Sequence, residues 1–188
     1  ILPMAFVLYE KYGKDVTVSC KGMGEIQRVS ALTHRHPLAQ SACGIYIAVA
    51  CHILAGENLP EAIDAGMRKA LLWYQNHARF ENCLPFWEPL RRIGEREEET
   101  VWSGGYVVES LETAFWCLLH TDTYRDCVLR CVNMGYDTDS TAAIAGGLAG
   151  LYYGYQAIPD EWIEQLAAKE LIDDCISGLE KYCTQLEN

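Results

Sequence analysis

Basic residues are scarce in this chain. Lys and Arg number 15 among 188 residues against 26 Asp and Glu, a formal charge of −11. Nucleic acid is therefore disfavoured as a partner, because phosphate affinity needs a basic surface, and so is an anionic membrane surface. An anionic ligand remains possible where metal ions or helix N-termini supply local positive charge. No basic segment precedes the first apolar run, as a signal peptide would require. No apolar run reaches the ~20 residues of a membrane helix; the longest, Cys43 to Ala55, is shorter and contains His52. Strand-like alternation of apolar and polar residues is missing too, as are internal repeats, low-complexity tracts and linkers, so the length suits one domain over residues 1–188. Cys-x-x-Cys is absent although the cysteines number nine. A soft metal site would want His or further Cys at ligand spacing. The cysteines read instead as small reduced hydrophobes of an intracellular, cytoplasmic protein.

What is present is globular in composition, half hydrophobic and 22% charged, with helical periodicity almost throughout. Pro3 to Tyr12 reads as a short helix ended by Gly13, and Asp15 or Thr17 as the start of a second, to about Ser30. Pro37 sits where a first-turn proline belongs, and from there to Ala55 the chain is so apolar that the helix must be buried on most sides. Leu59-Pro60-Glu61 opens another, to about His77. Phe80 to Trp102, with Pro85, Pro89, Gly94 and the acidic run Glu95 to Glu99, reads as an irregular connection; the run itself reads as a solvated face. Helices resume over Tyr106 to Leu119, from Thr123 (an N-cap with Asp126 in the capping-box position) to Gly135, from Asp137 to Tyr153, briefly after Pro159, and from Lys169 to Gln185. The fold expected is all-α, a compact multi-helix bundle.

Gly135-Tyr136-Asp137-Thr138-Asp139-Ser140-Thr141 stands out. Two carboxylates and several hydroxyls crowd onto the start of a helix otherwise made of Ala, Gly, Ile and Leu. Small residues at Ala143, Gly146, Gly147 and Gly150 suggest a central helix approached closely by a neighbouring backbone. One Asp suffices to cap a helix; Asp137 and Asp139 with Ser140 exceed that need. Asp-x-Asp with a hydroxyl makes a half-site for a hard cation such as Mg²⁺, Mn²⁺ or Ca²⁺. It is not an EF-hand loop, which needs further ligands and a downstream Glu.

The stretch Gly135 to Gly154 resembles the signature of the ADP-ribosylglycohydrolase family. Ser30-Ala31-Leu32-Thr33-His34-Arg35-His36-Pro37 is similar to that family's L-T-H-x-H-P turn, and Ser103-Gly104-Gly105-Tyr106-Val107-Val108-Glu109-Ser110-Leu111-Glu112 to its S-G-Y-V-V segment. Ala157 to Trp162 resembles the stretch after the signature, and Ile1 to Ala5 the one that follows an M-R dipeptide. The resemblance implies an orthogonal all-α bundle and two divalent cations, Mg²⁺ or Mn²⁺. It implies hydrolysis of the glycosidic bond joining ADP-ribose to a protein side chain or small molecule. It assigns Asp137, Asp139 and Ser140 as metal ligands, with Asp137 and Asp139 catalytic and Thr138 structural.

It also bears on residues that are ambiguous by themselves. His34 and His36 read either as polar capping residues or as lining for an ADP-ribose cleft; the resemblance favours His36 for the cleft. Ser103, Gly104, Gly105 and Tyr106 read either as a simple turn or as a close backbone approach to ligand with Tyr106 against a ribose or adenine ring. Tyr136 stands where many relatives have Gly, bringing bulk near the site and a possible effect on substrate choice. His52 reads as a satisfied core histidine, and His77 and His120 as helix-end residues. Glu109 and Glu112 read as a helix flank facing Arg or Lys.

The family's G-D-x-x-G and T-D-D-T segments do not occur in these residues, and Thr121-Asp122-Thr123 is a weak imitation. With the apolar start at Ile1, this suggests a domain incomplete at its N-terminus, holding half of the metal site, inactive alone and needing an upstream segment or companion chain. Its first helix should then expose apolar surface. A non-catalytic ADP-ribose-binding or structural, crystallin-like helical module is the alternative.

Overall fold

Ten α-helices follow one another through residues 1–186, which the computed structural model describes, and no strand occurs among them. They are α1 (Pro3–Tyr12), α2 (Cys20–Ser30), α3 (Pro37–Leu54), α4 (Leu59–Gln75), α5 (Leu84–Trp87), α6 (Val107–Leu119), α7 (Tyr124–Asn133), α8 (Thr138–Tyr153), α9 (Asp160–Glu164) and α10 (Lys169–Leu186). Short 3-10 turns fill several connections.

The axis of the bundle is α3. Pro37 occupies its first turn, and nearly every side chain beyond it is buried, including Ile45, Ile47, Val49 and Cys51. Helices α1, α2, α4, α6 and α8 all pack around it. The closest approach is to α4: a Cβ on Gly66 would lie 2.6 Å from the backbone N and Cα of Val49, so only glycine allows the two helices to meet there. This helix runs further than its unbroken apolar stretch. Its 18 residues have a mean hydropathy of 1.5, long and apolar enough to cross a membrane, yet 78% of it is buried within the protein. Core packing is sufficient reason for its composition.

Helix α8 is less central than its small residues suggest. It packs between α6 and α7 and touches α3, but only Thr141, Ala145, Leu148 and Ala149 are buried, and Ala143 is exposed. What approaches its glycines is side chain, not backbone. The Tyr46 hydroxyl lies 2.6 Å from where a Gly147 Cβ would be and donates to the Ile144 carbonyl at 3.1 Å. Tyr124 closes on Gly146 and Gly150. Small residues here make room for two tyrosines threaded from α3 and α7.

Other boundaries follow their caps. The second helix starts later than Asp15 or Thr17, because residues Gly13–Val18 wind as a 3-10 turn and the Ser19 hydroxyl takes the Gly22 N–H at the head of α2. Asn58 caps α4 through Glu61 N–H. Thr123 accepts the Asp126 N–H at 3.0 Å and donates its own proton to the Asp126 carboxylate at 2.8 Å. The connection from residue 78 to 102 is more ordered than its prolines suggest. It folds into α5 and 3-10 turns that bury Phe80, Trp87, Leu90 and Ile93. In the acidic run Glu95 pairs with Arg92 and Glu98 with Arg130, both on the surface. On α1, Ala5, Val7 and Leu8 are buried while Phe6, and Ile1 ahead of the helix, stay exposed. Helix α10 lies against α1 and buries no residue fully.

Three histidines separate clearly. His52 is buried with Nδ1 2.7 Å from Glu57, but its Nε2 has no partner, so it is only half satisfied. His77 and His120 each sit at a helix end, hydrogen-bonded to the carbonyl of the tryptophan four residues back and stacked on its ring.

Candidate active site

The Gly135–Ser140 turn and the Ser103–Tyr106 turn, which begin 32 residues apart in sequence, are fastened together. The Asp137 N–H donates to the Ser103 carbonyl at 3.0 Å, and the Ser103 hydroxyl donates to the Gly135 carbonyl. Ser103 is buried at 1% exposure, so it holds the turn from beneath and does not face solvent. Ser110, one turn into α6, lies 3.1 Å from the carbonyls of both Gly104 and Tyr106 and donates its one proton to either. On the other side, the buried Thr141 hydroxyl donates to the Asp137 carbonyl at 2.8 Å.

These bonds leave the Asp137 side chain free. It occupies the N-cap position of α8 but caps no N–H. Its carboxylate instead leans over the second glycine turn: a Cβ on Gly105 would lie 3.0 Å from Asp137 Oδ2. A Cβ on Gly104 would collide with the carboxylate of Glu109. In this arrangement the two carboxylates occupy the space that side chains at Gly104 and Gly105 would take. Glu109 and Glu112 take different roles. Glu112 faces into the protein and pairs with Arg96 at 2.9 Å. Burial pushes its carboxyl up from the ordinary range, and Arg96 offsets only part of that.

Tyr136 adopts φ +61°, in the left-handed region, directly after Gly135 at φ +84°. Glycine takes this conformation without steric cost, while a residue with a Cβ does not. The ring is exposed and lies 6.0 Å from the exposed ring of Trp102.

A cleft of about 990 Å³ opens beside these turns. Its lining includes Asp137, Ser140, Gly105, Tyr106 and Ser110 together with Thr33, His34, His36 and Cys43. His36 is both things its position suggested. Its Nδ1 accepts the Leu38 N–H at 3.2 Å and caps α3, and it also lines the cleft. With Nδ1 accepting, the neutral ring carries its proton on Nε2 as a donor. A narrower apolar annex of about 310 Å³, lined by Ala42, Tyr46, Leu111 and Ala143 among others, shares Ile1, Cys43, Val107 and Ile144 with the cleft. Burial pushes the Tyr46 hydroxyl upward from its ordinary range.

Of the residues singled out from sequence, the cleft brings together His36, Gly105, Tyr106, Asp137 and Ser140. Asp139 and Tyr136 are exposed beside it, and Ser103 and Gly104 support it from behind. Ser110 and Thr141 are contributors the sequence reading passed over; the signal was a hydroxyl one helical turn after each glycine turn or aspartate. Among the described residues no three His, Cys, Asp or Glu side chains gather as a cation site. The cysteines form no disulfide among those residues, and Cys51, Cys83, Cys117, Cys127 and Cys131 are buried.

The sequence profile described as ADP-ribosylglycohydrolase matches residues 13–187. Among curated proteins, an ADP-ribosyl-dinitrogen reductase glycohydrolase of Rhodospirillum rubrum is 30% identical over 138 residues, covering 73% of this chain and 41% of that protein. An ADP-ribosylarginine hydrolase, Tri1, of Serratia proteamaculans is 40% identical over 85 residues, covering 45% of this chain and 23% of that one. ADP-ribosylhydrolase ARH3 of Homo sapiens is 27% identical over 118 residues, 52% of this chain and 32% of that one. The chain therefore spans less than half the length of these relatives. A solved structure described as an ADP-ribosylglycohydrolase-related protein complex superposes with a TM-score of 0.65 at 23% identity, over 98% of this chain and 58% of that one, which shows the shared fold.

Proposed function

The chain belongs to the ADP-ribosylglycohydrolase family, and on that premise we propose that it takes part in hydrolysing the glycosidic bond between ADP-ribose and a modified protein side chain or small molecule. The observation that carries this reading is the cleft itself. It brings Asp137, whose carboxylate caps no N–H, together with Ser140 and His36 in the lining of one space within the size range of small-molecule sites.

The donor chemistry at the start of α8 fits a divalent cation. Asp137 is not used as a cap, Asp139 and Ser140 are exposed, and all three offer only oxygen, as Mg²⁺ and Mn²⁺ prefer. We assign these three as the residues that would hold such ions. When bound, divalent ions supply Lewis acidity and a water made acidic enough to attack at neutral pH. Among the described residues no group of three His, Cys, Asp or Glu side chains gathers there.

The chain's own residues then bind and orient. Tyr106, half exposed at the cleft wall, offers a ring face to a ribose or base. Gly105 keeps the neighbouring backbone low enough for close approach. His36 Nε2–H can donate to a phosphate or hydroxyl oxygen while Nδ1 keeps the ring fixed on α3. Ser103, Ser110 and Thr141 hold the two turns at a fixed separation, and positioning of this kind is worth orders of magnitude in rate. A reducing, cytoplasmic setting suits the buried thiols.

The test is a Mn²⁺ titration of the full-length protein, with ADP-ribose release from ADP-ribosylated agmatine and from an ADP-ribosylated serine peptide. Asp137→Ala and Asp139→Ala should each abolish release and weaken Mn²⁺ binding. Metal binding that survives both substitutions overturns the ligand assignment. Release from no ADP-ribosyl conjugate in the presence of Mg²⁺ or Mn²⁺ overturns the activity and leaves the non-catalytic helical module.

A further inference from the structure

The loop that joins α2 to α3, residues 31–36, brings Thr33, His34 and His36 into the cleft lining. Its own bonds are local. The His34 N–H donates to the Ser30 carbonyl at 2.8 Å, and the Ser30 hydroxyl donates to the His34 carbonyl at 3.2 Å. Two residues outside the loop tie it to the rest of the protein. Gln40, in the first turn of α3, is 2% exposed. Its Nε2 donates to the Gln27 carbonyl of α2 at 2.8 Å, which joins the two helices at the base of the loop. Its Oε1 accepts from Arg79 Nη2 at 2.5 Å, and the same nitrogen, which has two protons, donates to the Arg35 carbonyl at 3.4 Å. Arg79 lies in the 3-10 turn after α4, beside the buried Phe80. Neither Arg79 nor Gln40 lines the cleft.

We propose that Gln40 and Arg79 are positioning residues for the cleft: together they hold the His34–His36 segment where His36 meets ADP-ribose. The inference rests on the glycohydrolase reading above and deepens it. The carbonyl that Arg79 takes belongs to Arg35, the residue between the two histidines of the cleft. One guanidinium nitrogen therefore joins a point on the loop to a side chain of the buried helix α3, and its planar geometry fixes the separation of the two. The loop then moves with α3 and not by itself. Gln40 and Arg79 act as a unit, because the buried Gln40 amide is satisfied at its oxygen by Arg79 and at its nitrogen by Gln27. The Gln40 main chain is anchored as well, its carbonyl accepting the buried Tyr74 hydroxyl at 3.1 Å. A loop already ordered in the free protein pays less to bind a ligand than one that must be ordered by it.

The experiment measures ADP-ribose binding by calorimetry, KM and kcat on the conjugate that the unmodified protein cleaves, and amide hydrogen exchange, all on the full-length protein. Arg79→Ala and Gln40→Met are expected to raise Kd and KM about fivefold each, the scale of one hydrogen bond, with kcat unchanged. Exchange should quicken at the His34 and Leu38 amides, which report the loop and the His36 cap, and stay unchanged in the middle of α3. Arg79→Lys should recover part of the loss. Arg79 is exposed, so its variants keep the core intact even if Gln40→Met does not fold. Added to His36→Ala, Arg79→Ala should cost little more, since it acts through the same loop. A lower melting temperature with Kd and loop exchange unchanged means a merely structural role and overturns the proposal, as does a full additive loss on top of His36→Ala. If the unmodified protein binds ADP-ribose but releases it from no conjugate, the hydrolase reading falls, and the expected changes in Kd and exchange still uphold the positioning pair. No binding of ADP-ribose and no release overturn both.

Discussion

Removing the Ser103 hydroxyl should loosen the candidate site before it damages the fold. Ser103 is 1% exposed, and its side chain makes one bond, to the Gly135 carbonyl. In Ser103→Ala that bond goes, while the main-chain bond from Asp137 N–H to the Ser103 carbonyl remains. A typical intramolecular hydrogen bond contributes about 1 kcal/mol net. Gly135 is only partly buried, so water can replace the lost donor and the larger penalty of an orphaned buried group does not apply. For a chain of this size, about 1 kcal/mol corresponds to a Tm fall of about 2–4 °C. The local effect should exceed the global one, because one of the two bonds joining the Gly135 and Ser103 turns is gone. Calorimetry reads the first quantity. Amide hydrogen exchange at Asp137 reads the second, as faster exchange in the variant with unchanged rates in α3. If the melting temperature and the Asp137 exchange rate both match the unmodified protein, the clamp is not closed in solution and the account of how the two turns are held is wrong.

Two further outcomes test the packing and the electrostatics. Gly66→Ala places a methyl group 2.6 Å from Val49 backbone atoms, which cannot move aside as a flexible side chain would; α3 and α4 must separate, at a cost of about 1–3 kcal/mol, seen as a melting temperature lower by several degrees, and an unchanged melt would refute the close crossing. Glu112 has its carboxyl pushed upward by burial, so its folded pKa lies above its unfolded one. Its contribution is then complete below the ordinary carboxylate range and declines as pH rises through the folded value. Urea unfolding at pH 4 and pH 7 should therefore show wild type losing stability relative to Glu112→Gln at the higher pH, and the opposite trend would mean that Arg96 outweighs burial.

The sequence was a good guide wherever one local rule dominated. Pro3 and Pro37 start helices because a first-turn proline loses no hydrogen bond, and Gly13 and Gly135 end them by taking positive φ. Thr123 and Asp126 cap as their spacing requires. The sequence was a poorer guide where several residues competed for one role. Ser19 caps α2 where the sequence pointed to Asp15 or Thr17, since a 3-10 turn placed ahead of the helix depends on packing against α1 and α3. The small residues of α8 signalled close approach, yet nothing in them specified that the visitors would be Tyr46 and Tyr124.

For the site, the sequence by itself determined the chemical groups: an Asp-x-Asp-Ser start to a helix, a glycine turn followed by tyrosine, and a histidine ahead of a proline. These are local patterns, legible because capping, turns and helical spacing involve residues within one or two turns of each other. Tertiary structure decided which of them meet. It buried Ser103 as a clamp while exposing Tyr106, used His36 Nδ1 as a cap while the residue lines the cleft, turned Glu112 inward to Arg96 while Glu109 stayed by the turn, and set Trp102 beside Tyr136. Each of those outcomes depends on contacts between segments far apart in the chain, whose separation is set by how α3, α6 and α8 pack and not by any pattern inside them.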